Sequence, residues 1–183
     1  FLDSLACVKA VDLAKVKKVM DIGTGAGFPG VPLKIAFPHL EECLLDSLKK
    51  RVTFLEETFN LLGFDKITAI HGRAEEFAKN KAYREQYDLC VSRAVSNLST
   101  LSEYCLPYVK KGGVFISYKS GKVQEEAEGA ARAIKLLGGE IKDICYFTLP
   151  DSEIERSLVV IEKVKNTPGK YPRKAGTPLK EPL

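Results

Sequence analysis

The stretch Val19-Met20-Asp21-Ile22-Gly23-Thr24-Gly25-Ala26-Gly27-Phe28-Pro29-Gly30 decides the fold. A short apolar run ends in four glycines within eight residues, more than a tight turn requires. Such a segment reads as a strand passing through a ligand-binding loop into a helix, where backbone N–H groups face a polar or anionic ligand and no Cβ obstructs its approach.

Working outward, short apolar runs alternate with helical patterns from Val19 to Lys163, the arrangement expected of a mostly parallel sheet covered on both faces. Strands are expected near Lys18–Ile22, Glu42–Asp46, Ile67–His71, Asp88–Ser92 and Val114–Lys119, each followed by a loop and a helix. Two closing strands, near Glu140–Leu149 and Ser157–Lys163, are joined by a polar stretch too short for a crossover helix, so the last pair should be an antiparallel hairpin. The clearest helix spans Ser47–Leu62, because Leu48, Val52, Leu55, Phe59 and Leu62 recur at spacings of three and four. Ser47 can cap it and Gly63 can end it, while Lys49, Lys50 and Arg51 read as its wet face. A second helix is expected over Lys122–Leu137, ending at Gly138-Gly139, and Leu2–Leu13 also looks helical.

A chain of 183 residues, 45% hydrophobic and 28% charged, can bury one sizeable core, which excludes disorder and collagen-like order. No apolar stretch reaches the roughly 20 residues that cross a bilayer, and Phe1-Leu2-Asp3-Ser4-Leu5 lacks the regions of a signal peptide, so a cytoplasmic protein is expected. The five cysteines never form C-x-x-C and sit mostly among apolar neighbours, and there are only two histidines, so reduced thiols and no metal site are expected. Net charge is +4, yet Lys163, Lys165, Lys170, Arg173, Lys174 and Lys180 against Glu181 place a surplus of five in the tail, leaving residues 1–162 at minus one. That tail reads either as a solvated terminus or as an extended arm contacting phosphates.

Two ligands fit the glycine loop. Gly25-x-Gly27-x-x-Gly30 matches the dinucleotide fingerprint, with Asp46 placed 21 residues beyond Gly25 to hold a ribose, so an NAD-dependent oxidoreductase survives on spacing. The charges favour S-adenosylmethionine: Asp21 at the first strand tip would repel a diphosphate but suit an ammonium and a sulfonium, and Asp46 at the second tip suits ribose hydroxyls. After the third strand, Ala74 and Glu75 can border an adenine, or simply open a helix whose positive end favours Glu75 and Glu76. Ser92 and Arg93 lie just past the fourth strand, at the edge where open α/β sheets bind ligands; a salt bridge from Arg93 to a neighbouring carboxylate such as Glu75 is the plain structural alternative.

Together, Asp21–Gly30, Leu45-Asp-Ser-Leu-Lys-Lys-Arg51, Gly72-Arg-Ala-Glu75, Ser92-Arg-Ala-Val95 and Arg173-Lys-Ala-Gly-Thr-Pro178 resemble the bacterial 16S ribosomal RNA guanine-N7 methyltransferases, also called glucose-inhibited division protein B, over essentially the whole chain. The resemblance implies a Rossmann-like class I methyltransferase, an α/β fold with a seven-stranded, mostly parallel sheet, an antiparallel last strand and helices on both faces. It implies S-adenosylmethionine as methyl donor and 16S ribosomal RNA or the small ribosomal subunit as partner, in the cytoplasm; a monomer is expected. Carried over by motif, the cofactor residues would be Gly23, Phe28, Ala74, Glu75 and Arg93, with Asp21, Gly25 and Asp46 as neighbours. Arg93 would also position the acceptor, and Arg173, Lys174 and Lys119 would meet RNA. Residues 1–163 would form the methyltransferase domain, 1–14 being the remnant of an N-terminal helical cap, and 164–183 a basic tail that packs back or contacts RNA. One departure concerns Lys119, since Tyr118-Lys-Ser-Gly121 replaces the family's more usual Lys-Gly pair. Guanine N7 presents a lone pair and no proton, so the reaction asks for positioning and needs neither a general base nor a covalent nucleophile. A noncatalytic RNA-binding or ribosome-assembly module is the remaining alternative.

Overall fold

In the computed structural model, which describes residues 1–93, 96–121 and 123–183, seven strands pair into one sheet in the order β3-β2-β1-β4-β5-β7-β6. In chain order the elements are α1 (Leu2–Leu5), β1 (Lys18–Ile22), α2 (Gly30–Ala36), β2 (Glu41–Asp46), α3 (Lys49–Leu62), β3 (Ile67–His71), α4 (Ala74–Phe77) and β4 (Tyr87–Arg93). Then come α5 (Leu98–Cys105), β5 (Val109–Ser120), α6 (Gln124–Leu136), β6 (Gly139–Thr148), β7 (Glu155–Lys163) and α7 (Thr177–Lys180). Strands β1 to β5 run parallel to one another, whereas β7 runs antiparallel between β5 and β6. The expected hairpin of the last two strands is therefore present, with β7 inserted into the sheet.

Side chains alternate across the strands, and both faces are covered. Met20, Ile22, Cys43, Leu45, Cys90 and Phe115 pack under α5 and α6. Val19, Leu89, Val91 and Ile116 meet Leu33 of α2 and the N-terminal Ala6, Cys7 and Leu13. Leu44 and Ile67 meet Leu55 and Phe59 of α3. Because β1, β2 and β4 are buried on both sides, their apolar runs were readable without a period-two pattern, whereas the edge strands β3 and β6 stay largely open to solvent. Four of the cysteines are buried and Cys145 is partly so, all as free thiols.

Several expected boundaries move. Helix α3 starts at Lys49, and no Ser47 hydroxyl caps it; instead the Asp46 carboxylate accepts from the Leu48 amide at 2.9 Å. Gly63 ends it in the left-handed conformation as expected. Of its stripe, Val52, Leu55 and Phe59 are buried, whereas Leu48 and Leu62 at the two ends remain exposed. The expected Leu2–Leu13 helix breaks into α1 and a 3-10 turn over Ala6–Lys9, followed by another turn over Leu13–Lys15. The expected start of the second helix, Lys122, lies outside the described residues, and α6 runs from Gln124. Strand β5 begins at Val109, because a register shift opposite Tyr87–Leu89 absorbs Lys110 to Gly113, a run that reads as a turn in sequence.

The order reverses between β1 and β4: β2 and β3 extend one way, β4 and β5 the other. Loops leaving the carboxyl ends of β1 and β4 must therefore part in opposite directions, and the cleft between them is where open α/β sheets take ligands.

Candidate active site

The glycine loop is held by two carboxylates. Asp21, the penultimate residue of β1, is fully buried, and its Oδ2 accepts from the Thr24 hydroxyl at 2.7 Å and the Gly30 amide at 3.0 Å. Asp46, at the tip of β2, is 2% exposed; its Oδ2 accepts from the Gly25 amide at 2.9 Å and lies 3.3 Å from Arg51. The amides of Gly23 and Thr24 donate to the Leu45 carbonyl, so the loop is bound to β2 along its first three residues. Gly27 cannot be replaced cheaply: its φ is +97° and a Cβ there would sit 2.5 Å from Val31 and 2.9 Å from Leu55.

This arrangement corrects the expected role of Asp21. Its carboxyl faces inward beneath the loop and borders neither of the cavities described below, so it shapes the loop from below instead of meeting a ligand's charge. Its second oxygen finds no partner among the described residues, and burial pushes its pKa up to about 6 against the opposing pull of Thr24, Gly30 and Arg93. Glu42, on the same sheet face, is likewise driven well above the usual carboxylate range by burial.

Two adjoining cavities run over the strand tips. One, of about 450 Å³, is bordered by Gly23, Gly25, Phe28, Asp46, Arg51 and Arg93; the other, of about 200 Å³, by Gly23, Leu45, Ala74, Glu75, Tyr104 and Leu179. Gly23 and Ser47 border both, so they form one cleft across the carboxyl ends of β1 to β4. A separate cavity of about 290 Å³ lies at the opposite end of the sheet, among Lys18, Glu41, Cys43, Thr68 and Tyr87, and contains no expected site residue.

Seven of the expected cofactor residues therefore border one cleft: Gly23, Gly25, Phe28, Asp46, Ala74, Glu75 and Arg93. Arg93 lies over the Phe28 ring, 5.2 Å from its centroid, within the range of cation–π attraction. Its charge partner is not Glu75. It is Asp3, at 3.4 Å, whose same oxygen lies 3.7 Å from Arg156. Ser92 donates its hydroxyl to the Ile22 carbonyl and so ties the tips of β1 and β4 together. Of the Ser92-Arg-Ala-Val95 motif, Ala94 and Val95 lie outside the described residues. Ala74 and Glu75 do open a short helix, α4, and Glu75 is 3% exposed, accepting from the Gly176 amide at 2.8 Å.

The residues expected to meet RNA separate. Lys119 is 11% exposed and donates to the Ser96 carbonyl and to Glu126, each at 2.7 Å, while Glu126 also accepts from the Leu98 amide; it joins α5 to α6 and is spent internally. Arg173 forms a forked pair with Glu103, whose side chain is fully buried, with contacts of 2.7 to 3.1 Å. Only Lys174 of the three is exposed. Lys163, counted with the basic tail, is fully buried; burial lowers its pKa to about 8 although Glu85 stands 3.1 Å away. Asp3 and Glu103 were missed because their arginine partners lie 90 and 70 positions away, and Tyr104 and Leu179 because only the fold brings them to the cavity and no local motif marks them.

A seven-stranded sheet with antiparallel β7 between β5 and β6, and a glycine loop opening onto a cleft over β1 to β4, defines a Rossmann-like methyltransferase. Solved chains of this shape include StiE O-MT residues 961-1257 (TM-score 0.69, 15% identity, 92% of this chain and 75% of that one). Another is a putative sarcosine dimethylglycine methyltransferase from Galdieria sulphuraria (TM-score 0.65, 14% identity, 88% and 85% covered). The family model GidB, rRNA small subunit methyltransferase G, matches residues 1–158. The Ribosomal RNA small subunit methyltransferase G of Lachnoclostridium phytofermentans is 54% identical over all 183 residues, which span 76% of that protein. The chain belongs to this family of methyltransferases. No helix among the described residues is long and apolar enough to cross a membrane.

The buried Asp21 gives a pH test. Its folded-state pKa of about 6 exceeds the ordinary 3.8, so its contribution is fully present below the lower value and lost as pH rises through the higher one. Relative to Asp21→Asn, the wild type should lose about 3 kcal/mol of stability between those values. Urea denaturation of both proteins at pH 4 and pH 7 reads it, and an unchanged difference would show that Asp21 is not titrating in the buried site.

Proposed function

We propose that the protein transfers a methyl group from S-adenosylmethionine to N7 of one guanine in 16S ribosomal RNA, acting in the cytoplasm on the small subunit or its RNA. One observation carries the choice of donor. In the dinucleotide reading, the glycine loop would turn its amides toward a diphosphate. Here the amides of Gly25 and Gly30 are given to the carboxylates of Asp46 and Asp21, so a diphosphate over the loop would find those donors taken and would meet Asp46 at close range. A donor with a cationic centre and a ribose suits the same wall, since a carboxylate has lone pairs left for hydroxyls after accepting two amides.

When bound, S-adenosylmethionine supplies an electrophilic methyl on a sulfonium. Ala74 and Glu75 would border its adenine, Asp46 its ribose, and Gly23, Phe28 and Arg93 its methionine half. Asp46 and Phe28 border the larger cavity, Ala74 and Glu75 the smaller. Arg93, stacked on Phe28 and paired with Asp3, has a planar fork suited to a carboxylate, to guanine O6 or to a phosphate. Its role is to orient: holding nucleophile, methyl and sulfur near a line supplies the rate where no proton need be moved. Of the residues expected at the RNA, Lys174, exposed beside the pinned Arg173, is the one left to meet its phosphates.

Formation of 7-methylguanosine in small subunits from a strain lacking the enzyme, followed by mass spectrometry with purified protein and labelled donor, tests this reading. Arg93→Ala should lower kcat/KM about a hundredfold with the fold intact. Lys174→Ala should instead reduce the salt slope of RNA binding by about 0.7. Label appearing at another atom of the RNA, or full activity in Arg93→Ala, would reject the assignment it touches.

A further inference from the structure

We propose that the C-terminal segment from Arg173 to Lys180 is a wall of the cofactor pocket, with Leu179 contacting the adenine and the Arg173–Glu103 pair positioning it. The inference rests on the assignment of the pocket to S-adenosylmethionine and adds residues to it.

Leu179 borders the smaller cavity together with Gly23, Ala74, Glu75 and Tyr104, yet it is 62% exposed. A leucine left that open on a short helix gains little from the protein itself; where it lines the cavity, it offers apolar surface that a purine would cover. The backbone that presents it is fastened at three places. The Thr100 hydroxyl donates to the Pro178 carbonyl at 2.9 Å, the Gly176 amide donates to Glu75 at 2.8 Å, and Arg173 grips Glu103 through its fork and its own amide. The Arg173 guanidinium also donates to the Glu181 carbonyl at 2.7 Å, which closes the segment on itself.

One of these fastenings belongs to the pocket and another adjoins it. Glu75, whose carboxylate receives the Gly176 amide, is itself a residue of the cavity wall. Glu103 precedes Tyr104 on α5, and Tyr104 borders the cavity. Docking of the tail and occupation of the pocket therefore share Glu75, and by linkage any factor by which the docked tail strengthens binding is the factor by which binding strengthens docking. The run Arg173-Lys-Ala-Gly-Thr-Pro178 is basic in composition but structural in use: its arginine neutralises a buried carboxylate, and its glycine, at φ +84°, lets Gly176 turn into α7.

Calorimetric titration with S-adenosylmethionine, combined with trypsin cleavage at the exposed Lys174 and Lys180, tests the wall. Leu179→Ala should weaken binding about tenfold, the loss falling on KM for the donor more than on kcat, and Leu179→Met should restore most of it. Arg173→Lys keeps the charge but loses the fork, so it should weaken binding and speed cleavage of the tail. In the wild type, S-adenosylmethionine should slow that cleavage. Wild-type affinity in both Leu179→Ala and Arg173→Lys would overturn the wall while leaving the pocket assignment standing. A wild type that binds no S-adenosylmethionine would instead remove the pocket assignment, and the wall with it.

Discussion

The carboxylate of Asp46 is the point on which the site depends. One oxygen accepts the Leu48 amide and so turns β2 into α3; the other accepts the Gly25 amide and so fixes the glycine loop against β2. Hydrogen bonds to an ionised group are the strong ones, and two from backbone amides justify a carboxylate that is 2% exposed. The same oxygens form part of the cavity wall, so the residue that shapes the loop also sets the charge a ligand meets. Asp21 does the complementary work from inside, where it reaches Thr24 and Gly30 but not the cleft.

The sheet order turns this local geometry into a cleft. With β1 and β4 adjacent and their connections leaving in opposite directions, Phe28, Asp46, Ala74 and Arg93 converge although they come from the carboxyl ends of four different strands or just beyond them. Ser92 bonded to Ile22 holds the two central tips together. Asp3 reaches the same corner from the N-terminal segment, where Phe1 also packs edge-on against Phe28 at 5.4 Å. Arg93 is therefore fixed by one residue of the glycine loop and one from the start of the chain.

Much of this was legible in the sequence, and the reason differs by element. The central strands and the glycine loop could be read because burial on both faces demands unbroken apolar runs and because a four-glycine loop has few other uses. That Gly23, Asp46, Ala74 and Arg93 would border one cleft could be read from their places at or just past strand tips. Charged residues were misread wherever their partner lies far along the chain. Arg173 meets Glu103 across 70 positions and Arg93 meets Asp3 across 90. Asp21 was misread for another reason: its place at a strand tip says which end it occupies, but the alternation of β1 turns its side chain toward the face holding Leu44 and Gly30. Basic composition marked the tail, and only its buried partners reveal that the arginine is an anchor.

Titrating the wild-type protein with S-adenosylmethionine and with NAD, side by side in a calorimeter, bears most directly on the claim that the loop amides are reserved by carboxylates. Saturable binding of S-adenosylmethionine with no heat from NAD is the expected result. Tight NAD binding without a response to S-adenosylmethionine would contradict it.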